Sequence, residues 1–512
     1  MPSSMGAGSA CQERLRGATR IPSAQPRHRE PVRSAWAPSR DRQAARTASA
    51  PPEHRRLALA LILTAAFMVV LDFSIVNVAL ASIEREFGFT ASAVQWIVTG
   101  YAIAFGGLLI LGGRAADTFG RRRMFMIGLA IFSVASLAGG LAHDPVLLVT
   151  SRVVQGAGAA LVAPSALSLI TTGFSEGPER TRALGMYGAT ASIGFVAGQV
   201  FGGVLVQFTS WRAVFLVNVP VGIAALLLAP RLLGESRQAG RTGHRLDIGG
   251  ALLITGAVAA LVFAVSQVAV LGWASPAVLG ALVLTAGASI AFVAVERRHP
   301  EPLVRGDLLR LPGLRKGGTM NLLLGLWNAG ELIVLSLYFQ QVLHFSPLVT
   351  GLIIAPQGVI GFTAGAFGAR LARRVGIRRV LIITSAVATI GFLALTRLPA
   401  AGGYSPLFAA LMLVGFGTAG TAFGTMVVAS AGVADGDQGL VGGVINTSRQ
   451  VGAAIGAALL PAVVEAVSHG RPAAEAGGAR AAMLAAAVAA ALATVVAWRG
   501  GLAVRPTLRH TS

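Results

Sequence analysis

The chain has 512 residues, 54% hydrophobic and only 12% charged, with a formal net charge of +21 and a mean hydropathy of +0.69. A soluble protein of this length carries about twice that charged fraction, so a soluble globular domain is excluded. The basic excess is spread over a tail and alternate loops rather than one face, which excludes a nucleic-acid surface. The single cysteine, Cys11, excludes an internal disulfide, a thiolate zinc site and an iron–sulfur cluster.

Residues 1–56 are rich in Arg, Pro, Ala and Ser and show no apolar period. Such a segment buries too little apolar surface to offset its ordering entropy and is predicted to be disordered. It lacks the apolar core of a secretory signal. Its charge suits anionic lipid, and an over-long start assignment accounts for it equally well.

Fourteen apolar stretches follow, at about 57–80, 94–112, 124–142, 146–171, 182–206, 212–232, 248–269, 277–296, 318–341, 350–371, 380–398, 406–429, 440–464 and 479–498. About 20 apolar residues cross the hydrocarbon core as a helix, because lipid offers backbone polar groups no partner. Arginines fall after every second stretch: Arg114 and Arg121–Arg123; Arg180; Arg237, Arg241 and Arg245; Arg297, Arg298, Arg305, Arg310 and Arg315; Arg373, Arg374, Arg378 and Arg379. The positive-inside rule therefore predicts both termini in the cytoplasm. The acidic loop 430–439 departs from the pattern.

A repeat is visible. Gly113-Arg-Ala-Ala-Asp117-Thr-Phe-Gly120-Arg121-Arg122-Arg123 follows the second stretch, and Ala369-Arg-Leu-Ala-Arg373-Arg-Val-Gly376-Ile-Arg-Arg379 follows the tenth, 256 positions later. The expected division is a tail (1–56), a six-helix bundle (57–232), two inserted helices with a loop (233–317), a second bundle (318–498) and a tail (499–512). Sites in such repeats lie near the midplane between the halves.

Charge in the membrane is costly and marks a pathway. Asp72, Arg152, Glu331 and Arg449 lie deep. Counted to the outer ends of their stretches, Asp72 is about 12 Å and Arg152 about 9 Å from the surface at 1.5 Å per residue, so the two can pair. Such a pair either switches a proton on and off Asp72 or merely fixes helix packing. Glu331, with Trp327 and Asn328 on the preceding turn, suits a cationic solute, a proton, or a neutral acid held by an amide. Asn77, Gln155, Gln340, Gln341 and Gln357 are candidate cavity liners, Asn218 a candidate cap or bridge, and Arg449 has no assigned role. Gly194, Gly198, Gly202 and Gly203 make a smooth face on the fifth helix.

Several motifs resemble the major facilitator superfamily, and within it the 14-helix drug:proton antiporters. They are Leu71–Leu80, Gly113–Arg123, Arg152-Val-Val-Gln155-Gly156-Ala-Gly158, Ser210-Trp211-Arg212 with Asn218–Gly222, and Tyr338–Leu343 with Ser346-Pro347 and Gly351. The resemblance covers about residues 57–500. It implies an all-α polytopic fold of two six-helix bundles plus two inserted helices. It implies a proton-coupled transporter, not an enzyme, that exports hydrophobic or cationic small molecules by alternating access, with Asp72, Arg152 and Glu331 in proton coupling. It implies a cytoplasmic latch between the halves at Gly113, Asp117, Gly120, Arg121 and Arg122. It also implies that the Gly194, Gly198, Gln199, Gly202 and Gly203 face slides on the opposite half. Gln199 stands where antiporters carry Pro, and Ala81 departs likewise. The first bears on transport direction, so an importer or facilitator of the same fold is the alternative.

The only lysine, Lys316, precedes Gly317, so no Walker A loop exists and transport is driven by a gradient or by another subunit, a proton gradient being favoured because carboxylates are the deep titratable groups. No HExxH, Ser-His pair or paired haem ligands support a membrane enzyme, and no filter-like loop supports a channel. The expected partners are a small-molecule substrate, protons and the bilayer, with no nucleic acid, no cofactor or metal, and a monomeric state.

Overall fold

The computed structural model describes residues 52–89, 94–174, 178–235, 247–298, 311–398, 405–431, 433, 438–468, 471 and 474–499. The expectations for residues 1–51, for Cys11, for Arg237, Arg241, Arg245, Arg305 and Arg310, for residues 432 and 434–437 of the acidic loop and for residues 500–512 lie outside them.

Within the described residues the chain folds into long helices and no strand: α1 (Pro52–Phe87), α2 (Trp96–Phe119), α3 (Arg121–Gly140), α4 (Pro145–Gly173) and α5 (Pro178–Phe208); α6 (Ala213–Leu232); and α7 (Ile248–Leu271), α8 (Pro276–Arg298), α9 (Pro312–Leu337), α10 (Pro347–Val375), α11 (Ile377–Leu395), α12 (Ser405–Ser430), α13 (Gln438–Ser468) and α14 (Glu475–Arg499). Thirteen of these described helices are long and apolar enough to cross a membrane, and the apolar stretch of α10 is the shorter Pro347–Gly361. Helix starts are locally encoded. Asp144 accepts from the Leu147 N–H ahead of Pro145, and Ser346 accepts from the Val349 N–H ahead of Pro347, each satisfying one orphan donor of the first turn.

Two expectations are corrected. The tail does not extend to residue 56: α1 begins at Pro52, with Glu53 in its first turn and Arg55 paired to Glu179 of α5. An acid at a helix N-terminus and a partner on α5 extend order beyond the apolar stretch. Likewise α1 ends at Phe87 rather than residue 80, because Ser82, Glu84, Arg85 and Glu86 continue the helix past the point where hydropathy falls. Depths counted from residue 80 were therefore wrong for Asp72, which sits nearer the middle of its helix.

The packing has an internal symmetry. In the first half α1 packs on α4, α5 and α6, α4 on α2 and α3, and α3 on α6; in the second, α9 packs on α12, α13 and α14, α12 on α10 and α11, and α11 on α14. The halves meet through α5 with α10, α2 with α13, and α1 with α9 and α10. The two repeated loops adopt the same unusual backbone, Gly120 at φ 107° and Gly376 at φ 84°, a region that favours glycine. Inserted α7 lies in the seam against α2 and α13 and carries α8 on its other side. Apolar α8 side chains such as Val283 and Ile290 face outward, as lipid requires.

Candidate functional site

Asp72 and Arg152 are both fully buried. Arg152 Nη1 donates to Asp72 Oδ2 at 2.6 Å and to Gln155 Oε1 at 2.6 Å, while its Nε donates to the Ile97 carbonyl at 2.9 Å. The other carboxylate oxygen accepts from Gln155 Nε2 at 2.7 Å and from Asn218 Nδ2 at 2.8 Å. Gln155 also donates to Ser136. Tyr101 lies beneath the guanidinium, 4.4 Å from ring centroid to Cζ, and Phe215 lies at 5.7 Å. Residues of α1, α2, α3, α4 and α6 thus converge on one carboxylate. In low dielectric such an arrangement is stable only when both charges are paired and well hydrogen-bonded; here Arg152 Nη2 and the Tyr101 hydroxyl are buried without a hydrogen-bond partner among the described residues. Gln155, expected in the cavity, is buried in this network, because three residues after Arg152 places it on the same helix face. Asn218, expected as a cap or bridge, is a direct Asp72 donor. Tyr101 and Ser136 gave no signal in the sequence.

Among the described residues, the second half has no matching buried pair. Glu331 is fully buried, accepts from Gln357 Nε2 at 2.9 Å through Oε1, and leaves Oε2 without a hydrogen-bond partner. Gln357, expected in the cavity, is therefore occupied by Glu331. Trp327 is buried and donates to Thr418 at 3.1 Å. Asn328 is half-buried.

Asn77, Gln340 and Gln341 lie at the contact between α1 and the end of α9. A π-helical turn, Tyr338–Val342, closes α9 and swings its glutamines toward α1. Ser336 Oγ donates to the Asn77 carbonyl at 2.6 Å, Gln340 Nε2 to the Val78 carbonyl at 3.1 Å, and Gln341 Nε2 to Glu84 at 2.8 Å. The Asn77 side chain donates back to its own helix at Phe73 and Ser74. Together with the Leu348 N–H on Gln207, these contacts close the halves at the end where α1 terminates and α10 begins. The wider helical ring there cannot be read from apolar periodicity.

The loop between α2 and α3 makes several contacts with its own half. Arg121 pairs with Asp117 at 2.9 Å. Arg122 Nη1 reaches the Pro230 and Leu233 carbonyls, and the Arg122 and Arg123 N–H groups donate to the Glu235 carboxylate. Two free N–H groups at a helix start make an anion seat, and Glu235 fills it. Gly113 stands open apart from Pro164. Glu235, unnoticed in the sequence, is the residue that ties this loop to the end of α6.

The α5 face is also reassigned. Added Cβ atoms at Gly194, Gly198 and Gly202 would lie 3.0, 2.7 and 2.9 Å from Val70, Ser74 and Ile75 of α1, in the same half. The face that meets the opposite half is one residue around the helix. A Cβ on Gly203 would sit 2.7 Å from Leu348 Cα, and one on Gly351 would strike the Gln199 carbonyl. Gln199 keeps its side chain in its own half, donating to Ser74 Oγ at 3.1 Å. A spacing of four residues keeps to one face, while the next residue points 100° away.

Residues 62–457 match the profile of the Major Facilitator Superfamily. The cephamycin export protein of Amycolatopsis lactamdurans is 40% identical over 423 residues, covering 81% of this chain and 86% of that protein. The puromycin resistance protein of Streptomyces alboniger is 40% identical over 419 residues, covering 79% and 81%. Among solved structures, a bacterial homolog of the human lysosomal transporter Spinster, inward-facing and unoccupied, superposes with a TM-score of 0.64 at 16% identity, covering 88% of this chain and 97% of that one; this likeness speaks for the fold. Two matched bundles, a buried charge network and these relatives converge: the chain is a multi-pass membrane transporter and belongs to the major facilitator superfamily.

Proposed function

We propose that the protein is a proton-driven exporter of amphipathic antibiotics or related small molecules, working by alternating access in the cell membrane as a monomer with both termini in the cytoplasm. The working units are residues 57–232 and 318–498, with 233–317 inserted between them. The observation that carries this reading is the Asp72 carboxylate, fully buried in a membrane helix with Arg152 on one oxygen and two amides on the other. A carboxylate kept at this depth is an ion-handling group, because an apolar residue would fill the same space at lower cost. Glu331 supplies a second acid, with one oxygen free to take a proton or a cation. The names of the relatives, one for cephamycin export and one for puromycin resistance, favour export over uptake.

With the N-terminus inside, the contacts of Gln340, Gln341 and Leu348 join the two halves at the outer end. Gln199 in place of Pro does not weaken that reading. Its backbone carbonyl rather than a ring approaches Gly351, so α5 and α10 still meet closely. The deciding experiment is transport in proteoliposomes under an imposed pH gradient. Substrate moving against the proton flow supports export, and substrate moving with it overturns the proposal in favour of import.

A further inference from the structure

Arg449 is left over from the proton network, and the geometry points to a subsite for the anionic group of a transported amphiphile, formed by Arg449 and Asn446 on α13. The inference rests on the exporter reading and names part of its substrate class.

The argument begins with the sectors of α13. Thr447 donates to the Gly106 carbonyl of α2, and Gln450 packs on the same glycine. Gly452 and Gly456 lie against the Leu322 and Leu326 carbonyls of α9. Val451 and Ile455 pack with Val258 and Val262 of α7. Between the α2 and α9 sectors lies a fourth, carrying Ala453 and Ala457, which join an apolar cluster with Ile75, Ile97 and Val98 from the other half. This sector therefore points at the space between the halves. Arg449, Asn446 and Gly442 share it, one to three turns further from the closed end. There Arg449 is exposed.

Charge gives the second part. The guanidinium of Arg449 donates through Nη2 to Asn446 Oδ1 at 3.2 Å, a neutral acceptor. Among the described residues it has no ion pair. The other deep charges are engaged elsewhere: Asp72 holds Arg152, and Glu331 is buried against Gln357. A guanidinium in the middle of a membrane-spanning helix, open to the interface and lacking an acid, is a poor structural element and a strong receptor. Its planar fork matches a carboxylate or sulfonate with two parallel hydrogen bonds. Asn446 presents an amide beside it that can contribute a further donor. The subsite thus selects molecules that bear an anionic group on an apolar body.

The test uses full-length protein with Cys11 replaced by Ser and a reporter thiol at Asn446→Cys or, to leave the amide in place, Gly442→Cys. A Cβ at Gly442 meets only the Met426 methyl, at 3.8 Å, so this second variant fits the fold. Each is labelled in membranes with a sulfonate-bearing and a trimethylammonium-bearing methanethiosulfonate, with rates taken relative to a free thiol. The expected result is a preference for the anionic reagent of roughly tenfold at Asn446→Cys, one turn from Arg449, as one charge exerts over a few ångströms in partly screened surroundings, a smaller one at Gly442→Cys, about 10 Å along the helix, and loss of both on Arg449→Gln. Absence of labelling at both positions, or an unchanged preference in Arg449→Gln, overturns the subsite. Neither readout needs export, so a failed subsite and a failed exporter are separable. In cells, Arg449→Gln should lose resistance to antibiotics carrying a free carboxylate and keep it for their methyl esters. Equal loss of both, or a parent protein that exports none of the acids, overturns the substrate class.

Discussion

Asn218, at the head of the main part of α6, donates through Nδ2 to Asp72 Oδ1 at 2.8 Å across 146 residues of sequence. The bond makes α6 a partner of the charge network as well as a packing element. Replacing Asn218 with Ala leaves that oxygen with Gln155 alone. A buried carboxylate that loses a donor costs about 1–3 kcal/mol, so the purified Asn218→Ala protein should melt several degrees lower. Asn218→Asp should be worse, since it sets a second carboxylate against the first. A melting temperature equal to that of the parent would show that the bond carries no weight.

Arg152 holds Asp72, Gln155 and the Ile97 carbonyl together and stacks on Tyr101. Lysine offers one point charge and cannot reproduce a planar fork that serves three acceptors. Arg152→Lys is therefore expected to reduce proton-driven export at least tenfold, close to the loss in Arg152→Ala. Drug-dependent proton movement in proteoliposomes reads this out, and a near-normal lysine variant would refute the geometric requirement. Asp72→Asn should abolish coupled export while substrate binding stays measurable.

Glu331→Gln keeps the size of the side chain and removes the charge it can carry. If Glu331 receives cationic substrates, their affinity should fall while that of neutral substrates is little changed. Equal losses for both would limit the residue to proton handling or packing. Ligand-induced quenching of tryptophan fluorescence offers a direct readout, because Trp327 sits four residues away on the same face.

Two glycines on α5 should behave differently. Gly198→Ala pushes a methyl into Ser74 within one half, where neighbours have little room to move, and should lower stability by an amount of about 1–3 kcal/mol. Gly203→Ala pushes against Leu348 of the other half and should instead bias the equilibrium away from the state closed at this end. Thermal melting checks the first, and distance measurements between spin labels at the ends of α5 and α10 check the second. The same labels should report opening when Gln340 and Gln341 are both changed to Ala.

The fold was legible because lipid imposes a simple rule. Backbone groups must be satisfied within each helix, so membrane segments appear as apolar runs, and the loops at Gly120 and Gly376 exposed the duplication. Helix ends were not legible where polar residues such as Glu84 and Glu86 continue α1, because hydropathy records solvent preference and not backbone hydrogen bonding. The deep charges Asp72, Arg152 and Glu331 stood out by their rarity in apolar surroundings. Their partners Asn218, Ser136 and Tyr101 did not, since amides, hydroxyls and phenols are common in membrane helices and gain meaning only from what they touch.

The sequence alone determined that this chain spans a membrane in two related sets of helices and sets a few acids and arginines deep within apolar stretches. Only the tertiary structure decided which side chains meet. It put Gln340 and Gln341 in contact with α1, turned Gly194, Gly198 and Gly202 toward their own half while Gly203 meets the other, and left Arg449 exposed without an ion pair among the described residues. The physical reason is that hydropathy and spacing fix which residues share a helix face, whereas the rotation and tilt of each helix are set by close packing against neighbours hundreds of residues away.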